Sequence, residues 1–167
     1  VGITGVSMGA IQSASVCGIE PRIHKAFLML GGCDVRQIVM TAHETRKLRA
    51  FIEQLQPEAR ERVFACLERL DPIRAQDGLK RLAQADRLRM TCAELDQVVP
   101  PACSRRLAEA AGFADRVTWL NGMDHYSAMA GFPQIMEEVV AFFGNDVPAA
   151  WQPPQTNGEK SASELLG

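Results

Sequence analysis

The sequence lacks any excess of positive charge, because 18 lysines and arginines stand against 20 aspartates and glutamates in 167 residues, a formal net charge of −2. Binding to nucleic acid or to an anionic membrane surface requires a basic patch that neutralises phosphates. The arginines are scattered through predicted helices, where we expect them to face solvent. The charge pattern therefore argues against nucleic acid as a partner.

Long apolar runs are also missing: none approaches the roughly 18 residues of a membrane-spanning helix, so no span is predicted. The five cysteines form no CxxC pair and no spacing with the three histidines that would indicate a zinc site. Cys17, Cys66 and Cys92 lie inside apolar runs, which predicts buried, reduced thiols rather than disulfides. No metal or organic cofactor is indicated, and the cytoplasm is the favoured compartment.

A serine flanked by glycines stands near the start of the sequence, in Gly5-Val6-Ser7-Met8-Gly9. This pattern is typical of a tight strand-to-helix turn, in which Gly5 and Gly9 leave room for the chain to double back. Such a turn exposes the Ser7 hydroxyl, and the Met8 N–H at the helix N-terminus points to where an oxyanion forms. The motif predicts an acyl-transfer nucleophile. A glycine-rich turn that only packs a helix on a strand is the alternative.

Strands and helices are predicted to alternate four times. The strands are assigned to residues 1–4, 25–30, 88–92 and 117–120. The helices between and after them are assigned to residues 8–17, closed by Gly18, then 104–111, closed by Gly112, and 133–143, with a loop over residues 121–126. This alternation predicts an α/β fold with a mostly parallel sheet covered by helices on both faces.

Residues 34–87 form a helical, charge-rich stretch between the second and third strands, with helices predicted over residues 35–40, 44–55 and 57–70. A simple crossover between parallel strands needs only about a dozen residues. We therefore interpret residues 34–87 as a helical insertion or lid within a domain of residues 1–144. Proline, glycine, serine, glutamine and asparagine dominate after residue 144, which predicts a flexible tail over residues 145–167.

Three polar residues follow predicted strands at the edge where ligands of parallel sheets bind. They are Ser7, Asp96 and His125. Together they indicate acyl transfer, in which Ser7 is the nucleophile, His125 the general base and Asp96 the acid that orients the imidazole. The convergence of these three positions is the strongest functional signal in the sequence.

Other acids and histidines compete for these roles. Asp71 precedes a proline and is interpreted as a turn residue, whereas Asp86 precedes its strand and would lie at the wrong end of the sheet. His24 and His43 follow no strand, and we expect both at the surface. Asp96 and His125 remain the better candidates.

With these motifs the sequence resembles the C-terminal half of an α/β-hydrolase, close to the esterase and dienelactone-hydrolase-like branches. The resemblance rests on the glycine-flanked Ser7, on Asp96 followed by the sequence QVVP, and on His125, in the family's order of serine, acid and histidine. It covers residues 1–143. Two departures are Ala93, where the family often has glycine three before the acid, and Asp124, where it usually has glycine before the histidine.

The resemblance implies a serine hydrolase that cleaves a small-molecule carboxylic ester through an acyl-enzyme, with Met8 giving one oxyanion-hole N–H. A serine nucleophile argues against relatives that use aspartate, such as dehalogenases and epoxide hydrolases, and against dienelactone hydrolase itself, which uses cysteine. A peptidase or acyltransferase of the same fold stays open. So does a non-catalytic binding module that kept the pocket.

The family's sheet has eight strands, and this sequence supplies about four. The strands before Ser7, and the loop that gives the second oxyanion donor, are absent from it. We therefore expect residues 1–4 to form an exposed sheet edge, which pairs with the N-terminal half of the same domain or with a second copy of the chain. The chain alone is expected to be an incomplete enzyme.

Overall fold

The computed structural model describes residues 1–144. Four strands run in chain order as β1 (Gly2–Val6), β2 (Lys25–Met29), β3 (Leu88–Ala93) and β4 (Val117–Leu120). The α-helices are α1 (Met8–Ile19), α2 (Val35–Thr41), α3 (Arg46–Gln54), α4 (Pro57–Arg69), α5 (Gln76–Gln84), α6 (Pro101–Ala110), α7 (His125–Ala130) and α8 (Phe132–Gly144). Short 3₁₀ helices cover Pro72–Ala75 and Ala114–Arg116. The predicted tail, residues 145–167, lies outside the described residues.

The four strands form one parallel sheet in the order β1-β2-β3-β4. A helix follows each strand, so the carboxyl ends of all four strands lie at the same edge of the sheet. Strands β1 and β4 are the outer strands of this sheet within residues 1–144. The α/β class with a parallel sheet, predicted from the alternation of strands and helices, is confirmed.

Strand β2 is buried along its whole length because helices cover both faces of the sheet. On one face, Ala26 and Leu28 pack in the main core with Leu79 of α5. On the other face, Phe27 and Met29 pack against α8. Because both faces of the strand are buried, its residues form one continuous apolar run in the sequence. Among the helices described, none has the length and apolar character to cross a membrane.

Gly18 does not end the first helix as predicted, because α1 continues to Ile19. A Cβ atom on Gly18 would lie 2.3 Å from the Cβ of Ala75 in the first 3₁₀ helix. Gly78 of α5 approaches the same end of α1, where a Cβ would lie 2.1 Å from the carbonyl oxygen of Cys17. Glycine is therefore needed at position 18 for close packing between helices, and not for a left-handed turn.

The stretch of residues 34–87 divides between two environments. Helices α2, α3 and α4, which we call the α2–α4 segment, share a small core of their own around Val39, Ile52 and Phe64. Helix α5 instead contributes Leu79 and Leu82 to the main core beneath the sheet. Helix α5 thus acts as the crossover helix between β2 and β3, and the α2–α4 segment is the additional part of this stretch.

Two further expectations from the sequence are wrong. Residues 121–126 were expected to be a loop, yet His125 begins the short helix α7 after Asp124, whose side chain caps it. A six-residue helix has too few turns to show an apolar period, so the cap was its only local signal. Cys66 is exposed rather than buried, because it lies on the outer side of α4.

Candidate active site

The turn between β1 and α1 holds Ser7 in a strained backbone conformation. Its φ of 53° and ψ of −119° lie where non-glycine residues are rarely found, at a cost of about 1–3 kcal/mol. Backbone hydrogen bonds hold the turn on both sides: the Ser7 N–H donates to Met29 O at 2.8 Å, and the Ser7 carbonyl accepts from Ala10 N at 2.9 Å. The surrounding structure therefore fixes a conformation that Ser7 would not adopt by itself.

Gly5 and Gly9 differ in what their missing Cβ atoms allow. A Cβ on Gly5 would lie 2.3 Å from the carbonyl oxygen of Gly9, and this backbone oxygen cannot move away without opening the turn. A Cβ on Gly9 would meet no atom within 4 Å among the described residues. The steric reason for glycine thus holds at position 5, and the same reason predicted for Gly9 is wrong within this part of the chain.

Ser7, His125 and Asp96 lie within hydrogen-bonding distance of one another in a chain. The Nε2 atom of His125 is 3.0 Å from Ser7 Oγ, and its Nδ1 atom is 2.7 Å from Asp96 Oδ2. The carboxylate fixes the tautomer, since a proton on Nδ1 donates to Asp96 and leaves Nε2 to accept the proton of the Ser7 hydroxyl. His125 and Asp96 are buried, at 4% and 5% exposure.

The second carboxylate oxygen of Asp96 is occupied by the backbone of its own loop. Oδ1 accepts the N–H groups of Val98 and Val99, each at 2.8 Å. These bonds fold the loop after β3 around the carboxylate, and they hold Oδ2 towards His125. The position of the acid is therefore set by residues immediately after it in the sequence.

None of the competing residues takes part in this chain of hydrogen bonds within the described part of the chain. Asp71 is buried, but it accepts the backbone N–H groups of Val35 and Ile73, and it makes no hydrogen bond to a histidine within residues 1–144. Asp86 is at the other end of β3, paired on the surface with an arginine. His24 and His43 are both exposed.

Asp124 caps α7 and makes no hydrogen bond to the imidazole of His125 within the described residues. Its carboxylate accepts the backbone N–H groups of Tyr126 and Ser127, at 3.0 and 2.7 Å, and the Ser127 hydroxyl at 2.8 Å. Hydrogen bonds from the backbone and then the hydroxyl of Ser127 are the main causes that lower the pKa of Asp124. A charged carboxylate thus replaces the glycine that usually precedes the histidine in the family.

A cavity of about 430 Å³ opens beside His125. Its walls come from the loop after α2, the loop after β3 and the start of α7, and comprise His43, Glu44, Gln97, Val98, Asp124, His125 and Tyr126. The hydroxyl of Tyr126 donates to Glu44 Oε1 across this cavity. No sequence pattern indicates this contact, because the two residues are 82 positions apart and neither belongs to a motif.

Met8 is the first residue of α1, and the first N–H groups of a helix have no acceptor within the helix. The N-terminus of α1 also carries the positive end of the helix dipole. The side chain of Met8 is 65% exposed, so packing does not explain its place after Ser7. No group of histidine, cysteine, aspartate or glutamate side chains within residues 1–144 is arranged to hold a metal ion.

No family model matches the sequence, and no curated protein matches it. Solved structures do match. An acylaminoacyl peptidase from Pyrococcus horikoshii has a TM-score of 0.63 and 13% identity, and the match covers 91% of this chain and 25% of the peptidase. An esterase from Pyrococcus furiosus has a TM-score of 0.54 and 15% identity, covering 86% and 52%. A puromycin-hydrolyzing peptidase from Mycobacterium tuberculosis has a TM-score of 0.55 and 20% identity, covering 74% and 18%.

These neighbours are proteins of the α/β-hydrolase fold, and they include peptidases and an esterase by name. This chain spans only 18% to 52% of the lengths of the three. At identities of 20% and below, the likeness shows the fold alone. The strand order and the helices on both faces agree with that fold, of which this chain supplies a part.

Proposed function

Because this chain has the α/β-hydrolase fold, we propose that it is the C-terminal part of a serine hydrolase that cleaves carboxylic esters through an acyl-enzyme. The observation that carries the proposal is the chain of hydrogen bonds from Ser7 Oγ to His125 and on to Asp96. A buried carboxylate, a buried imidazole and a serine on a strained turn are the parts that nucleophilic acyl transfer requires. The hydrolase neighbours support the same reading.

The proposed reaction has two steps. Ser7 Oγ attacks the acyl carbon while His125 Nε2 takes its proton, and Asp96 stabilises the imidazolium that forms. His125 then gives the proton to the leaving alcohol, which departs and leaves an acyl group on Ser7. Water, deprotonated by His125, attacks the acyl-enzyme and releases the acid, and Ser7 regains its proton.

The oxyanion of each tetrahedral intermediate needs two donors, of which the Met8 N–H is one. We propose that the second comes from the N-terminal half of the same domain, which the resemblance implies. Removing one oxyanion donor typically lowers kcat by about 10²–10³-fold. Turnover by residues 1–167 alone is therefore expected to lie far below that of the complete domain.

Peptide hydrolysis is the second candidate, favoured by the two peptidases among the similar structures. The same residues would act, with an amine as the leaving group in place of an alcohol. A pair of substrates with one acyl group, joined in one case as an ester and in the other as an amide, distinguishes the two functions. A peptidase also cleaves the ester, so the amide decides between them: the esterase proposal predicts no measurable hydrolysis of the amide, and a measurable kcat/KM for the amide would favour the peptidase.

Covalent labelling tests the proposal against a binding module without catalysis. In the complete domain, in which this chain is joined to its N-terminal half, a fluorophosphonate should form an adduct on Ser7, located by mass spectrometry of the digested protein, and Ser7→Ala should abolish it. Ser13 and Ser127 are internal controls, since Ser13 is buried and bonded to a strand carbonyl and Ser127 caps α7. An adduct on either control, or no adduct at all, would contradict the proposal.

A further inference from the structure

We infer that Tyr126, held in place by Glu44, limits the size of the leaving group that the site accepts. The inference rests on the proposed function, since a leaving group exists only if Ser7 is acylated. His125 must reach the leaving group to protonate it. The cavity of about 430 Å³ is lined by His125, whose Nε2 atom is 3.0 Å from Ser7 Oγ, so a group that leaves the acylated serine can enter it.

Tyr126 is a fixed wall of this cavity despite being 60% exposed. Its backbone N–H donates to Asp124 Oδ1 at 3.0 Å. Its ring packs edge-on against the imidazole of His125, with centroids 5.8 Å apart and planes at 82°. Its hydroxyl donates to Glu44. An exposed side chain without such contacts would exchange among rotamers, so the hydrogen bond at the far end of the ring is what selects one position.

Glu44 brings a second part of the fold to the cavity. It lies between α2 and α3, in the α2–α4 segment. That segment rests on the main domain through Ile38, which packs with Ile11 of α1 and Val99 of the acid loop. The hydrogen bond from Tyr126 to Glu44 therefore joins the α2–α4 segment to the helix that carries His125, and it closes one side of the cavity.

The charges on the two side chains keep this contact intact near neutral pH. The hydrogen bond from Tyr126 is the largest cause that lowers the pKa of Glu44, and the same bond is the largest cause that raises the pKa of Tyr126. Glu44 therefore stays ionised and Tyr126 stays protonated well on either side of neutrality. The hydrogen bond is therefore kept around neutral pH, and the side of the cavity that it closes is a constant feature of the site.

Losing the hydrogen bond should widen the cavity without disturbing the triad. Tyr126→Phe keeps the ring and removes the hydroxyl, whereas Glu44→Ala removes the acceptor. Either change frees the ring to turn away from the cavity. Both residues are exposed, so neither change is expected to unfold the chain.

The test is made on the complete domain and compares phenyl butyrate with 2-naphthyl butyrate, which share an acyl group and have leaving groups of similar acidity but different size. Each single variant should raise the ratio of kcat/KM for the naphthyl ester over that for the phenyl ester by about tenfold, the scale of discrimination by a pocket wall. The double variant should match either single variant, because both changes break the same hydrogen bond. Glu61→Ala, at an exposed position of α4, is the matched control and should leave the ratio unchanged.

Fluorophosphonate labelling of Ser7 in every variant separates this inference from the proposed function. If Ser7 is labelled and the ratio does not change in Tyr126→Phe and Glu44→Ala, the inference is overturned while the proposed function stands. Additive effects in the double variant would also overturn it, since the two side chains would then act independently. If Ser7 of the unmodified complete domain is not labelled, the proposed function falls, and the inference falls with it.

Discussion

Asp71 and Asp96 are both buried carboxylates that accept two backbone N–H groups, but they distribute these bonds differently. Asp71 uses one oxygen for Val35 and the other for Ile73, so both of its oxygens are occupied. Asp96 accepts both N–H groups at Oδ1. Its Oδ2 atom is thereby free to bind His125. One aspartate joins two segments of backbone, and the other is available to orient a base.

This difference predicts opposite outcomes for the two Asp→Asn changes. Asp96→Asn should lower kcat by about 10⁴-fold, because an amide group facing Nδ1 favours the wrong imidazole tautomer. Asp71→Asn should retain the activity and lower the free energy of unfolding by about 1–3 kcal/mol through weaker bonds to the backbone. Ester hydrolysis and urea denaturation measure the two effects. Equal losses of activity in both variants would remove Asp96 from the proposed mechanism.

Gly5→Ala should disrupt the turn that carries Ser7, whereas Gly9→Ala should not. The new methyl group on residue 5 would meet backbone at 2.3 Å, and overpacking of this kind costs about 1–3 kcal/mol. Residue 9 lies inside α1 with open space around it, where alanine is more favourable than glycine by up to about 1 kcal/mol. The midpoint temperature of thermal unfolding and the rate of fluorophosphonate labelling should both be lower in Gly5→Ala, and neither should be lower in Gly9→Ala. A Gly9→Ala variant that behaved in the same way would show that the clash at Gly5 is not the cause.

Asp124→Asn should remove part of the pH dependence of stability. Hydrogen bonds from Ser127 lower the pKa of Asp124 in the folded state. Such a carboxyl stabilises the fold above its unfolded pKa of about 3.9, and this contribution is lost as pH falls through the folded pKa. Asparagine also caps helices but does not ionise. The unmodified chain should therefore have a larger free energy of unfolding than the variant at about pH 6. This difference should be smaller at about pH 2.

Urea denaturation of both proteins at the two pH values measures that difference. The chain offers Asp77→Asn as a control, since Asp77 is an exposed acid in the first turn of a different helix. A difference between the unmodified chain and Asp124→Asn that is the same at both pH values would contradict the prediction.

The thiols should separate into one reactive group and four protected ones. Cys66 is exposed, whereas Cys17, Cys33, Cys92 and Cys103 are buried. Burial raises the pKa of the Cys17 thiol to about 11 and that of Cys92 to about 12, so the reactive thiolate is scarce at both sites. Ellman's reagent should therefore modify one thiol rapidly in the native chain and the others only on unfolding. Cys66→Ser should abolish the rapid phase, and a rapid phase that survives this change would show that another cysteine is accessible.

Local patterns in the sequence were enough for much of the fold. A continuous apolar run marked β2, and glycines around Ser7 marked the turn into α1. These signals are local because a strand buried on both faces has to be apolar along its length, and a tight turn needs glycine beside it, so both features are written in consecutive residues. Ser7, Asp96 and His125 each follow a strand, and the carboxyl ends of parallel strands lie at the same edge of the sheet. The three residues could therefore be assigned to one edge from the sequence. The fold class was predictable because the alternation of strands and helices is itself visible along the sequence.

The sequence by itself therefore determined which residues stand at the carboxyl ends of the strands, whereas only the tertiary structure decided how they meet. The 3.0 Å approach of His125 to Ser7 joins residues 118 positions apart and depends on the capped start of α7. The contact between Tyr126 and Glu44 depends on how the α2–α4 segment docks on the domain. Distances of this kind are set by packing between elements, and no local spacing of residues encodes them.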